Sequence, residues 1–101
     1  MKVAITSQNF KSITGHAGKT RRFIIFERSG SENWSESQRF DLPKNMSFHE
    51  FRGEQHPIDN VDVLLTASCG DGFKRKMATR GIKVMTTEEA DFYKALNELV
   101  F

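Results

Sequence analysis

The sequence predicts an α/β domain built on a mixed five-stranded sheet. Residues 1–42 contain three segments with strand-like patterning, whereas residues 61–101 alternate between strand-like and helix-like patterns. The first half therefore predicts an antiparallel meander and the second half a βαβ unit, whose crossover is right-handed. With β1 placed centrally, the expected strand order is 3-2-1-4-5, with β1, β4 and β5 parallel.

Residue patterning locates the first three strands. Residues 1–7 alternate apolar and polar side chains and are rich in β-branched residues. Residues 22–28 form a nearly continuous apolar run, and residues 29–33 have turn composition before a weaker alternating run at 34–42. These patterns predict strand β1, a long loop over 8–22, and a β2–β3 hairpin.

The middle of the chain is expected to contain one short helix and the strand β4. Pro43 ends the third strand because proline has no backbone N–H to donate. The amphipathic residues 47–52 predict a helical turn or two. Residues 61–67 have the length and β-branched content of a buried strand, and Gly70 and Gly72 then break it sharply.

The last part is expected to add two helices and strand β5. Apolar residues recur at helical spacing after the glycine turn, and a basic turn followed by Gly81 indicates a helix end. Residues 82–85 resume a strand pattern. Thr86 and Glu89 have capping-box spacing and predict the start of a closing helix. Its expected apolar face comprises Phe92, Tyr93, Leu96, Leu99 and Val100.

Composition excludes several classes of protein. The chain has 15 Lys and Arg against 13 Asp and Glu, a formal charge of +2, unlike a strongly basic nucleic-acid arm or an acidic disordered tail. No apolar run approaches the roughly 20 residues that cross a bilayer. We therefore expect a single domain over residues 1–101 that is cytoplasmic, with no nucleic-acid and no membrane partner. A lone cysteine, Cys69, excludes an intrachain disulfide.

The predicted topology indicates where a ligand would bind. Because β1 and β4 are parallel neighbours whose chains leave in opposite directions, a crevice forms at their carboxyl ends. The loop that leaves β1 carries His16, and the turn that leaves β4 spans residues 68–72. We therefore expect these two segments, which are far apart in sequence, to meet.

Three features of these segments have candidate chemistry, and each has a structural alternative. His16 stands between glycines and is either a ligand or a solvent-facing loop histidine. Cys69 is either a thiolate whose pKa a helix start lowers, or a small buried hydrophobe. Gly70, Asp71 and Gly72 form either a backbone anion cradle or the tight turn of a βα unit.

Other residues are assigned weaker roles. Two basic clusters flank the crevice and either make it electropositive or are solvated faces. These clusters are Lys19, Arg21 and Arg22, and Lys74, Arg75 and Lys76. His49 and His56 lie in the irregular middle stretch, where His56-Pro57 is interpreted as a turn element. Phe23, Phe26, Phe73 and Phe92 are expected in the core.

Several segments together resemble a known family. They are residues 1–6, 15–19 and 22–27, the β4 turn, and residues 80–84. In this order they resemble the dinitrogenase iron-molybdenum cofactor biosynthesis family, the NifX-like domains that also occur at the C-terminus of NifB. The resemblance implies a ribonuclease H-like three-layer fold, with helices after β3, β4 and β5, and a small non-enzymatic carrier.

The chain departs from the family pattern at two places. The family's loop after β1 commonly reads His-Phe-Gly, whereas here it is His16-Ala17-Gly18, so the aromatic residue does not carry over. The family usually has an apolar residue where this chain has Cys69, so a role for that thiol depends on its own chemistry.

The resemblance and the residue types together suggest a carrier for an anionic iron-sulfur or iron-molybdenum cluster, held as transient cargo in the β1/β4 crevice. Its expected binding residues are His16, Gly18, Lys19, Arg22, Cys69, Gly70 and Gly72, with His16 and Cys69 as metal ligands. Its expected partners are proteins that synthesise or receive the cluster, and its expected state is a monomer or weak dimer. The alternative is a regulatory domain that binds a small anion or a protein partner without metal. Two-metal hydrolysis is disfavoured, because residues 2–7 carry no carboxylate, Asp62 begins β4 rather than ending it, and Asp71 alone cannot hold a metal pair.

Overall fold

A computed structural model of the chain describes residues 1–100. Its strands are β1 (Lys2–Thr6), β2 (Arg22–Glu27), β3 (Ser35–Asp41), β4 (Val63–Thr66) and β5 (Lys83–Thr86). Its helices are a short 3₁₀ helix (Lys44–Met46), α1 (Asp71–Ala78) and α2 (Phe92–Glu98). All five predicted strands are present, within about two residues of their expected ends.

The sheet has the predicted order β3-β2-β1-β4-β5. β1 pairs antiparallel with β2 and parallel with β4, which in turn pairs parallel with β5. The mixed topology is therefore confirmed. The carboxyl ends of β1 and β4 lie side by side in the middle of the sheet, as the crevice prediction requires.

Each face of the sheet has its own apolar core. Val3 and Ile5 point to one face, where α2 packs through Ala95 and Leu96. Their neighbour Ala4 points to the opposite face, where α1 packs through Met77. Because side chains alternate along a strand, the short apolar run of β1 supplies both cores. The aromatics expected in the core are there: Phe23 and Phe26 are buried, and Phe73 and Phe92 pack partly buried against the two clusters.

The helical segment predicted at 47–52 amounts to one turn and does not form an α-helix. A 3₁₀ helix occupies Lys44–Met46 instead, and a single turn closes where Phe51 N donates to Ser47 O at 2.8 Å. Packing decides the path of this segment, because Phe48 turns into the core and stacks on His56 with ring centroids 4.1 Å apart. Two α-helices rather than three therefore occur in residues 1–100. The assignment to ribonuclease H-like folds stays a prediction.

The predicted capping box of α2 is wrong. Thr86 is the last residue of β5, where it pairs with Thr66, so it is not available to cap a helix. Asp91 is the N-cap instead, and its carboxylate accepts from Lys94 N at 3.4 Å. Val100 lies beyond the helix and is exposed rather than part of an apolar face. The predicted end of α1 is confirmed, since Gly81 adopts φ +75° just after it.

Candidate functional site

The loop after β1 and the turn after β4 are hydrogen-bonded to each other, as expected. His16 N donates to Ser68 Oγ at 3.1 Å, and Ala17 N donates to Ser68 O at 3.3 Å. Ala67 N donates to Thr14 O at 3.1 Å. These three bonds join segments about fifty residues apart in the sequence, so the crevice has a fixed backbone.

Two threonine hydroxyls fix the ends of the central strands under this loop. Thr6 Oγ1 and Thr66 Oγ1 lie 2.7 Å apart, and both residues are fully buried. Each hydroxyl is also within hydrogen-bond distance of Thr14 O, at 2.7 Å and 3.1 Å. Because buried polar groups are costly unless they are paired, this small network favours one arrangement of the loop over the strand ends.

The backbone of the loop is unusual at two neighbouring positions. A Cβ atom on Gly15 would collide with Ser68 Oγ and would lie 3.3 Å from Ser68 Cβ, so any other residue there would displace the Ser68 hydroxyl. His16 has φ +55°, in the left-handed region that few non-glycine residues adopt. The loop therefore holds the exposed imidazole of His16 in a constrained backbone conformation at the crevice.

A cavity of about 300 Å³ opens between the two segments. It is lined by His16, Ala17, Gly18, Lys19, His49, Ser68, Cys69, Gly70 and Phe73. The geometry thus gathers five of the seven predicted binding residues around one space. They are His16, Gly18, Lys19, Cys69 and Gly70.

The other two predicted binding residues lie elsewhere. Gly72 lines an adjoining cavity of about 280 Å³, together with Phe48, His49 and Lys76 among others. Arg22 is not among the residues that line either cavity. Its guanidinium donates to the Gln8 carbonyl at 2.9 Å and pairs with a carboxylate of β3 at 3.3 Å. It therefore braces the loop after β1 rather than facing the crevice.

Cys69 has an environment that differs from the expectation. The thiol is half-buried and packs against the core on the α1 face of the sheet. Burial raises its pKa, and this effect outweighs the opposing influence of the Lys74 ammonium, while Asp71 raises the pKa further. The expectation that the helix start lowers this pKa is therefore wrong. Cys69 combines features of both interpretations, because it lines the cavity and also contributes to packing.

The glycine turn is open but already has a negative charge beside it. Gly70 is the N-cap of α1 with extended backbone angles, and a Cβ atom there would meet nothing within 4 Å. Asp71 occupies the first turn of the helix, where a carboxylate is favoured by the helix dipole. The turn therefore exposes backbone next to the cavity, but Asp71 weakens its attraction for an anion.

Sequence reasoning missed His49, which lines both of these cavities. Its backbone N donates to Gly18 O at 2.7 Å, which ties the segment after β3 to the loop after β1. Its side chain is exposed. The signal in the sequence is the pair Phe48-His49, an aromatic anchor followed directly by a ligand-type residue. The buried Phe48 fixes the backbone that presents His49.

The donor set of the cavity does not form a compact centre for a single metal ion. Across residues 1–100, no three His, Cys, Asp or Glu side chains come together in such an arrangement. His16, His49 and Cys69 nevertheless line the same cavity, from three different segments of the chain.

Comparison with known proteins decides the family. A family model described as dinitrogenase iron-molybdenum cofactor matches residues 1–100. The chain belongs to this family. Membership associates the protein with the biosynthesis of the iron-molybdenum cofactor, and it confirms the resemblance seen in the sequence.

The fold is also similar to a solved structure. The NMR structure of a NifB-like Thermotoga protein, placed in the DUF35 family, aligns with a TM-score of 0.57 at 17% identity. The alignment covers 95% of this chain and 84% of that one, and at this identity it shows a shared fold alone. A comparison with curated proteins gives no significant match. No helix within residues 1–100 is long and apolar enough to span a membrane.

Proposed function

We propose that the protein is a non-enzymatic carrier that holds an anionic iron-sulfur or iron-molybdenum cluster, or a precursor of it, between the loops that follow β1 and β4. The observation that carries this proposal is that His16 and Cys69 line one cavity in a member of the cofactor family. Thiolate is the usual protein ligand of iron-sulfur clusters, and imidazole takes its place at some of them. The cluster is cargo, supplied and received by other proteins of the assembly process.

The electrostatics of the cavity support an anionic cargo. Lys19 is one of the residues that line it, and the backbone of Gly18 and Gly70 borders the same space. Hydrogen bonds and nearby positive charge stabilise anionic sulfur-containing clusters. The small number of ligand side chains suits a protein that must release what it binds.

The raised pKa of Cys69 gives the two ligands different roles. At neutral pH the thiol is protonated, so Cys69 must lose a proton before it can bind metal. His16 is exposed on a constrained backbone, so its ring is accessible to a cargo. We therefore assign His16 the first contact with the cluster and Cys69 a second contact that forms with proton release.

Anaerobic titration of the apo-protein with a cluster donor tests the proposal. Visible absorption and co-eluting iron measure uptake by the wild type, by His16→Ala and by Cys69→Ser. Lys11→Ala, which removes another exposed side chain from the same loop, is the matched control. We expect near-stoichiometric uptake by the wild type and control, and a loss of at least about tenfold in affinity for His16→Ala with little change in Tm.

Two results would contradict the carrier. Absence of uptake by the wild type would remove the proposal, and equal uptake by His16→Ala would move the site away from this loop. In the first case the alternative is a domain that binds a small anion or a protein partner without metal. That alternative is favoured by the protonated state of Cys69 at neutral pH and by the lack of a compact metal centre in residues 1–100.

A further inference from the structure

Besides the 280 Å³ cavity at Gly72, another cavity, of about 450 Å³, adjoins the first and has a different chemical character; it is called the second cavity because of its charge. It is lined by Lys19, Arg21, Lys44, Ser47, His49 and Glu50. Lys19 and His49 also line the first cavity, so these two side chains form a wall common to both. A ligand that extended past Lys19 and His49 would contact both His16 and Cys69 in the first cavity and the cationic residues of the second.

The second cavity concentrates positive charge. Lys19, Arg21 and Lys44 supply three cations, and Glu50 is the one carboxylate on its wall. The ion pairs found within residues 1–100 are Lys2–Glu27, Arg22–Asp41, Arg39–Glu36 and Arg80–Asp59. None of them involves the three cavity cations. Because the whole chain has a formal charge of only +2, this excess is local.

The backbone that presents these cations is fixed while their side chains are exposed. The Arg21 carbonyl accepts from Leu42 N at 2.9 Å, which joins the start of β2 to the end of β3. Lys44 begins the 3₁₀ helix, and His49 is tied to Gly18. The walls therefore come from two segments, residues 19–21 and 44–50, which backbone hydrogen bonds hold together. The cationic side-chain groups take no part in these bonds.

We propose that the second cavity is a subsite for a group with two or more negative charges, of the carboxylate or phosphate class. Lysine and arginine bind such groups through charge-assisted hydrogen bonds, and several together favour a multivalent anion over chloride or acetate. The subsite deepens the proposed function. Its pyrophosphate test does not depend on the carrier proposal, whereas the measurement of cluster uptake does. The anion either belongs to the cargo or binds as a separate small molecule.

The first measurement uses no metal. Apo-protein is titrated with inorganic pyrophosphate by isothermal calorimetry at fixed ionic strength. The test variant is Arg21→Gln/Lys44→Gln, and the matched control is Lys83→Gln/Lys94→Gln, which removes the same charge from β5 and α2 at exposed positions outside the cavity. We expect wild type and control to bind alike, and the test variant to bind at least about tenfold more weakly.

Absence of pyrophosphate binding by the wild type, or equal weakening in both double variants, would overturn the subsite. The second result would mean that net charge alone attracts the anion. Thermal unfolding of each variant verifies that the fold is retained, and Lys44→Gln alone, which leaves Arg21 in place, should give an intermediate affinity.

The second measurement identifies the source of the anion. Cluster uptake by Arg21→Gln/Lys44→Gln falls if the charged group is part of the cargo, and is unchanged if the anion binds separately. Both outcomes retain the subsite, provided that pyrophosphate binding is lost in this variant. If the wild type takes up no cluster while pyrophosphate binding still depends on Arg21 and Lys44, the carrier proposal fails and the subsite stands.

Discussion

The contact between Gly15 and Ser68 gives a prediction that tests how the two site segments are joined. A methyl group on Gly15 would collide with Ser68 Oγ, and the hydroxyl would have to rotate away. That rotation would break the 3.1 Å hydrogen bond that Ser68 Oγ accepts from His16 N. Gly15→Ala and Ser68→Ala should therefore remove the same bond by different routes.

The magnitudes follow from this geometry. Ser68→Ala should lower the free energy of unfolding by about 0.5–1.5 kcal/mol, the usual value of one hydrogen bond. Gly15→Ala loses the same bond, but it gains about 0.4–1 kcal/mol because alanine restricts the unfolded chain, and Gly15 lies outside the left-handed region. In the Ser68→Ala background, the colliding oxygen is already absent and no bond remains to be lost. There Gly15→Ala should cost about 1 kcal/mol less than it does in the wild type.

Urea unfolding of the four proteins in this double-mutant cycle measures the coupling. Trp34 is the single tryptophan and is buried in the core, so its fluorescence reports unfolding. The new Cβ atom at position 15 lies 3.3 Å from the Cβ atom of residue 68 in both backgrounds. The cost of this contact therefore cancels in the coupling energy. A coupling energy below about 0.3 kcal/mol would refute the argument, since independent sites add within that range.

Two further predictions use pKa shifts. Burial lowers the pKa of His56 in the folded protein below its ordinary 6.5. Below about pH 6.5 the unfolded chain therefore binds more protons at this residue than the folded protein does. The free energy of unfolding should therefore decrease as pH falls from 7 towards the folded-state pKa. Urea titrations at several pH values measure this dependence, and His56→Gln should make it less steep. An equal dependence on pH in both proteins would contradict the role of His56. Burial also raises the pKa of Cys69. Near pH 8, iodoacetamide should therefore alkylate this thiol more slowly in the folded protein than in the urea-unfolded chain, as measured by mass spectrometry. Equal rates would show that burial does not protect the thiol.

The sequence was sufficient to predict the strands and the place where the site forms. Alternating residues in β1 and the apolar run of β4 identify central strands, and their opposite exits locate the crevice. This reasoning depends on periodicity and chain direction, which are local properties of the sequence. It therefore placed His16 and Cys69 at one cavity although they are distant along the chain.

The path of the segment after β3 could not be predicted in this way. Its course depends on tertiary packing, in which Phe48 stacks on His56 and Arg80 pairs with Asp59 at 2.8 Å. Neither contact has a local sequence pattern. The position of His49 follows from this packing, so the residue that borders all three cavities was interpreted as part of an irregular stretch.

In the proposed site, the groups that hold its shape are different from those that would face a ligand. The backbone N–H groups of His16 and His49 are used to join the segments, whereas their imidazole rings are exposed. The buried hydroxyls of Thr6 and Thr66 belong to the first set, and the cations of the second cavity belong to the other. Since the exposed side chains contribute little to packing, they can change the affinity and selectivity of the site without unfolding it. Substitutions of these exposed side chains would therefore test the proposed anion binding while the loop backbone keeps its hydrogen bonds.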